Sequence, residues 1–194
     1  MNFRLSLLLI LLFAAVRLSA QEKEIPHATK LDSENGFNAL KVGAKLSDVK
    51  KYLQKDTINR KNVFDTSDDI LDFEQEIYLA NTKLAGYDKF YGIKIARIEV
   101  YVSDLFGEEE GVKQVDRVKI YLQKGVDSVW TNLVLALLKD YGSGVYSLDT
   151  PNEGNDSWLW WGDNTMMNVA NFYGEGDTPK NDYYEITFSS TKGG

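Results

Sequence analysis

The segment Arg97-Ile-Glu-Val-Tyr-Val102 and the later segment Arg117-Val-Lys-Ile-Tyr-Leu122 both alternate polar or aromatic residues with aliphatic ones. Because successive side chains of a β-strand point to opposite faces, each segment is predicted to be a strand with one aliphatic face. Strands buried on both faces would instead read as continuous apolar runs. The alternation therefore predicts an antiparallel sheet that is covered on one face and partly open on the other.

Other parts of the chain have strand composition and are separated by polar turns. The connections between them are too short to hold crossover helices, which indicates antiparallel pairing. These predicted strands span residues 71–79, 157–161, 165–172 and 183–189.

Two segments have helical spacing instead. In residues 46–54, Leu46, Val49 and Leu53 share one helical face. The second helix has an unbroken apolar stripe that ends before Gly142, a residue suited to the left-handed position after a helix. That stripe consists of Trp130, Leu133, Val134, Leu137, Leu138 and Tyr141. The predicted fold class is α+β, an antiparallel sheet with two helices packed on one face. The element order also raises the hypothesis of two fused helix-then-strands units.

The first 20 residues have the order of a secretory signal peptide. A short basic start with Arg4 precedes an apolar run over residues 5–16, and Ala20 precedes a polar switch. This run is shorter than the about 20 apolar residues of a membrane span. We therefore expect cleavage after Ala20, no stable membrane insertion afterwards, and a periplasmic or secreted location.

Residues 21–36 are polar and show no apolar period, so they are predicted to form a flexible N-terminal arm. The remaining residues, 37–194, are predicted to form a single α+β domain.

Composition excludes several function classes. The chain has a formal net charge of −7, which argues against nucleic-acid binding through phosphate contacts. It contains no cysteine, which rules out disulfides and thiolate chemistry, and its single histidine, His27, lies in the predicted arm. Triads and histidine-rich zinc sites need a well-positioned imidazole, which argues against both. Acidic residues are dense over 104–116 and 149–156 and could hold Ca²⁺, but their spacing does not match an EF-hand loop, so solvated loops, with no metal or cofactor, are expected. Carboxylate chemistry remains open, since a glycosidase needs only two Asp or Glu residues. The chain has 29 such residues, and no motif singles out any of them as catalytic.

Aromatic residues provide the candidate binding surface. On a strand, Trp158 and Trp160 point one way and Trp161 the other, while Tyr101 and Tyr121 lie on the polar sides of neighbouring strands. Exposed aromatic side chains stack on sugar rings and anchor protein interfaces. The alternative is that the indoles fill the core and the tyrosines make ordinary cross-strand contacts.

Two short stretches carry a family resemblance. In residues 40–53, Gly43 precedes a short helix carrying Val49 and then Leu53, and residues 137–142 are followed by a tryptophan strand at Trp158. Each stretch resembles a unit of small envelope modules of the SmpA/OmlA and β-lactamase-inhibitor-protein type. The resemblance implies a small exported α+β binding fold and no particular partner.

Two hypotheses of function follow. The first is an exported, non-catalytic binding module whose open sheet face engages an envelope or extracellular protein, a peptide or a glycan. The second is a secreted, carboxylate-dependent glycoside hydrolase, which would place two carboxylates roughly 5–9.5 Å apart at the base of a cleft.

Overall fold

The computed structural model describes residues 28–66, 69–103, 112–147, 155–172 and 183–191. The predicted signal peptide and residues 21–27 of the predicted arm lie outside these ranges. In the described part of the chain, no helix has the length and apolarity that a membrane crossing requires.

The helices are α1 (Thr29–Glu34), α2 (Leu46–Val49, followed by a 3-10 turn at Lys50–Tyr52) and α3 (Asp127–Tyr141). The strands are β1 (Gly36–Phe37), β2 (Leu40–Lys41), β3 (Leu53–Thr66), β4 (Asp69–Ala80), β5 (Lys89–Phe90), β6 (Ile93–Ser103), β7 (Gln114–Gln123), β8 (Val145–Ser147), β9 (Asn155–Trp161), β10 (Thr165–Phe172) and β11 (Tyr183–Ser190).

One antiparallel sheet organises the molecule, in the order β3-β4-β6-β7-β11-β10-β9-β8, with β5 paired to β6 and β1 paired to β2 as a separate hairpin. The predicted α+β class is confirmed. In each half of the chain a helix is followed by antiparallel strands, and the last strands of the two halves, β7 and β11, pair at the centre of the sheet. Outward from this central pair, the strands of each half follow in reverse chain order: β6, β4 and β3 on one side, and β10, β9 and β8 on the other.

The core lies on one face of the sheet, beneath the helices. Ile98, Ile120 and Ile186 are aligned across the three central strands, and each is almost fully buried. The stripe of α3 covers them, and the Trp130 ring lies 5.3 Å from that of Tyr184 on β11. The stripe prediction is confirmed, with Trp130, Leu133, Val134, Leu137 and Tyr141 all buried and Leu138 partly buried against the core. Burial of each such side chain contributes roughly 1.5–3 kcal/mol, which makes α3 the main cover of the core.

The first predicted helix is shorter than expected. It was predicted over residues 46–54, whereas α2 ends at Val49 and β3 begins at Leu53. Leu53 pairs with Ala80 of β4, and the N–H of Asn81 donates to the carbonyl of Tyr52. These contacts with the sheet use backbone groups that a helix extending to residue 54 would need for its own hydrogen bonds.

The predicted arm also requires a correction, because its residues 28–36 are structured. They form α1 and the start of β1, with Leu31 fully buried in the core. The N–H of Ala28 donates to the carbonyl of Trp161 at 2.7 Å. A six-residue helix with a single large apolar side chain has no detectable apolar period, which is why the segment reads as an arm.

Candidate functional site

The face of the sheet opposite the core carries charged and aromatic side chains. The register places Glu99 beside Lys119, and Tyr121 beside Glu185, across β6, β7 and β11. The described helices contribute their buried side chains to the core on the other face. We call this second surface the open face.

Glu99 is the centre of a polar network on the open face. Its Oε2 accepts hydrogen bonds from the hydroxyls of Tyr101 at 2.9 Å and Tyr121 at 3.0 Å. Its Oε1 lies 3.2 Å from Nε of Arg97. Burial and the neighbouring acids raise the pKa of Tyr121 to about 12, and burial with the Glu99 bond raises the pKa of Tyr101 as well. Both tyrosines therefore act as neutral donors at physiological pH.

Two arginines lie over these tyrosine rings. The guanidinium of Arg97 is 3.9 Å from the ring centre of Tyr121, and that of Arg117 is 5.4 Å from the ring centre of Tyr101. The Arg97 side chain is 49 % exposed and that of Glu99 only 17 %. The cation is thus the outer group and the carboxylate the inner one, which fixes the guanidinium at the surface.

The two tyrosines of the predicted surface, Tyr101 and Tyr121, are not directly opposite each other on β6 and β7. Tyr101 is opposite Arg117 and Tyr121 is opposite Arg97, and the two hydroxyls converge on Glu99. Tyr121 is itself buried, because a tyrosine from β11 and the arginine above it cover its ring.

The three tryptophans are divided between the two faces. Trp161 lies on the open face and is half-buried, whereas Trp158 and Trp160 point to the core side. Trp160 is fully buried, and its Nε1 donates to the carbonyl of Gly142 at 3.0 Å. A Cβ at Gly144 would lie 2.7 Å from the Trp160 ring. The expectation that Trp160 belongs to a binding surface is therefore wrong, since the chain after α3 covers it.

A second site was not predicted from the sequence. It is a cleft of about 460 Å³ on the core side, formed by α1, the β1–β2 hairpin, β5 and the end of α3. Its lining includes Glu34, Phe37, Lys41, Lys89, Phe90 and Tyr91.

Two tyrosine–carboxylate hydrogen bonds and two ion pairs to one lysine form a connected network beside this cleft. The hydroxyl of Tyr141 donates to the carboxylate of Glu34, and that of Tyr91 donates to Asp140. The ammonium of Lys30 lies 3.6 Å from Glu34 and 3.7 Å from Asp140. Burial and these bonds raise the pKa of both tyrosines, while the Tyr91 bond lowers the pKa of Asp140. Both acids are thus engaged by neighbouring groups.

The cleft walls contain unusual backbone conformations. Among the described residues, those other than glycine with positive φ are Asn35 at 31°, Asn38 at 53° and Tyr91 at 49°. Asn38 and Tyr91 line the cleft, and Asn35 is next to its lining residue Glu34. Asn35 ends α1 and Asn38 lies in the turn of the β1–β2 hairpin, positions where asparagine adopts this conformation readily, so Tyr91 is the uncommon case.

No group of His, Cys, Asp and Glu residues suited to a metal ion occurs in the described ranges. No protein-family model matches the chain, and searches of curated proteins and of solved structures found no match. The function therefore has to be argued from the surfaces of the molecule.

Proposed function

We propose that the protein is an exported, non-catalytic binding module whose open face engages a protein partner. The observation that supports this most is the pair of arginines stacked on tyrosines in a sheet face that the described helices do not cover. Arginine and tyrosine are enriched among the residues that dominate binding energy at protein interfaces. Because the Glu99 network already holds them, little side-chain entropy is lost when Arg97 contacts a partner.

The same geometry favours a protein over a glycan. A sugar ring stacks on a bare aromatic face. Arg97 lies over Tyr121, Arg117 lies over Tyr101, and both hydroxyls are donated to Glu99. The groups that these pairs offer outward are guanidinium donors, which suit carbonyl and carboxylate groups of a polypeptide.

Export rests on the order of charge and hydrophobicity in residues 1–20. The test is the mass of the chain recovered from envelope or medium of expressing cells. A chain that begins at Gln21 is expected, and a chain that keeps Arg4 and the apolar run would contradict export by cleavage.

The partner is tested by photo-crosslinking at two matched threonines. Thr187 lies on the open face of β11, and Thr131 lies on the exposed side of α3. With a photoreactive residue at each position in turn, we expect a protein adduct from position 187 and none from position 131. The adduct should disappear when Arg97 and Arg117 are both changed to Ala.

A double change of Lys83 and Lys139 to Ala serves as the control, since both are exposed cations away from the open face. Adducts of equal yield from positions 187 and 131 would contradict the proposal. An adduct that survives the double arginine change would do the same.

The hydrolase alternative is supported by one observation at the cleft. Glu34 and Asp140 contact the same ammonium of Lys30, which is compatible with the about 5–9.5 Å separation of glycosidase carboxylates. A general acid, however, needs a raised pKa, and the Tyr91 bond lowers that of Asp140. Release of reducing sugar from a polysaccharide panel, abolished by Glu34→Gln, would establish the hydrolase and overturn the non-catalytic proposal.

A further inference from the structure

The groups of the cleft that remain available after internal pairing are cationic. Glu34 and Asp140 are engaged by Tyr141, Tyr91 and Lys30, as described above. Lys89 is exposed and forms no hydrogen bond or ion pair with any residue in the described part of the chain. Lys89 is therefore a cation of the cleft without a counter-ion among the described residues.

Lys41 is a second cation of the cleft, and unlike Lys89 it is already hydrogen-bonded. Its ammonium donates to the backbone carbonyl of Glu34, a neutral acceptor, and its side chain is partly buried. Burial lowers the pKa of Lys41 more strongly than the nearby Glu34 carboxylate raises it. A partly desolvated ammonium held by a carbonyl gains more from an arriving anion than a fully hydrated one does.

The charge of the cleft contrasts with that of the chain. The whole chain has a formal net charge of −7, yet the charged residues that line the cleft are Lys41, Lys89 and Glu34, two cations and one anion. When Lys30 and Asp140, which contact the lining residues, are included, the charged groups are three cations and two anions, so the local field favours a negative ligand.

Aromatic side chains supply the apolar part of the cleft. Phe37 and Phe90 are in edge contact, with ring centres 5.6 Å apart, and are only 8 % and 7 % exposed, so Tyr91, at 39 %, offers the larger accessible aromatic surface. The volume of about 460 Å³ is within the range of about 300–1,000 Å³ of small-molecule sites. A ligand with a flat apolar body would contact these rings while its charged group meets the lysines.

We infer that this cleft binds a small organic anion, with its negative group at Lys41 and Lys89 and its apolar body against Tyr91 and the accessible parts of Phe37 and Phe90. The site is separate from the open face, so its failure leaves the proposed protein-binding function untouched.

The test uses benzoate and phenyl phosphate as probes, with benzamide as an uncharged probe of the same shape. Binding to the full chain is followed by NMR through the amide signals of Gly36 and Gly86, which line the cleft. We expect saturable shifts with one or both anions and none with benzamide. The tighter of the two anions then identifies carboxylate or phosphate as the preferred charged group.

Three variants separate a charge effect from a folding effect. Lys89→Gln removes an exposed cation and should weaken anion binding about fivefold or more, as expected for a charged hydrogen bond. Lys41→Gln should weaken it as well, whereas Lys83→Gln, outside the cleft, should leave it unchanged. Equal shifts with benzamide, no saturation by either anion in the millimolar range, or equal affinities of the Lys89 and Lys83 variants would each overturn the inference.

Discussion

The carboxylate of Asp32 accepts the backbone N–H of Asn164 at 2.7 Å, across 132 positions of sequence. The same carboxylate accepts the N–H groups of Asp163 and Thr165, at 2.5 Å and 3.1 Å. Asp163 and Asn164 lie in the turn between β9 and β10, and Thr165 is the first residue of β10. A Cβ at Gly162 would lie 2.4 Å from the Asp32 carboxylate, so only glycine allows this close approach. One acid in α1 thereby fixes the turn at the end of the sheet.

Asp32→Ala should destabilise the protein by about 2–3 kcal/mol, because it removes a charged acceptor from three backbone donors. Chemical denaturation measures the effect. Asp48→Ala removes an exposed acid from α2 and should cost less than about 0.5 kcal/mol. Equal costs for the two variants would mean that α1 does not hold the turn.

Leu137→Ala tests the packing of α3 on the sheet. Leu137 is fully buried in the middle of the stripe, so its truncation should cost about 2–5 kcal/mol once the cavity is included. Lys139→Ala, on the exposed side of the same helix, should change the free energy of unfolding by less than about 0.5 kcal/mol. Small and similar effects on the denaturation midpoint would exclude α3 as the main cover of the core.

Asp116→Asn should stabilise the protein at neutral pH by about 1 kcal/mol. Asp116 is buried, and burial raises the pKa of its carboxyl more than the hydrogen bond from Gln75, at 2.8 Å, lowers it. At neutral pH the folded state therefore holds a desolvated charge, which asparagine removes while its amide oxygen still accepts from Gln75.

The advantage of Asp116→Asn should shrink as the pH falls through the raised pKa, because the wild-type carboxyl then becomes protonated. Denaturation midpoints measured from neutral to acidic pH check this. A variant that is less stable than wild type at neutral pH would show that the ionised carboxyl is stabilising.

Alkaline pH should destabilise the protein progressively from about pH 10 to about pH 12. The folded state raises the pKa of Tyr121 from 10.0 to about 12, so its proton is held more tightly in the folded than in the unfolded chain. The stability from this difference is complete below about pH 10 and is lost as the pH rises to about 12.

Absorbance of tyrosinate, recorded with and without denaturant, measures this directly. With denaturant the tyrosines should titrate together near pH 10. Without it, a fraction should titrate late and together with unfolding, and Tyr121→Phe should reduce that fraction. A native protein whose tyrosines all titrate near pH 10 would contradict the hydrogen bonds and burial of Tyr121 in the Glu99 network.

Much of the fold could be predicted from local patterns. The alternation in β6 and β7, and the stripe from Trp130 to Tyr141, each depend on the spacing of side chains along a single element. The same reasoning placed Tyr101 and Tyr121 on the polar side of their strands. The prediction was wrong at α2, because Leu53 pairs with Ala80 of β4 instead of continuing the helix. It was also wrong at α1, because Leu31 is the single large apolar side chain of that helix and leaves no apolar period.

The sequence by itself determined the elements with a repeating pattern, because periodic burial of side chains leaves a periodic record in the chain. Tertiary structure alone decided that β7 pairs with β11, that Trp160 is covered, and that Glu34 meets Tyr141 across 107 positions. Contacts of this kind depend on where whole elements pack, and no local spacing encodes the element that will lie opposite.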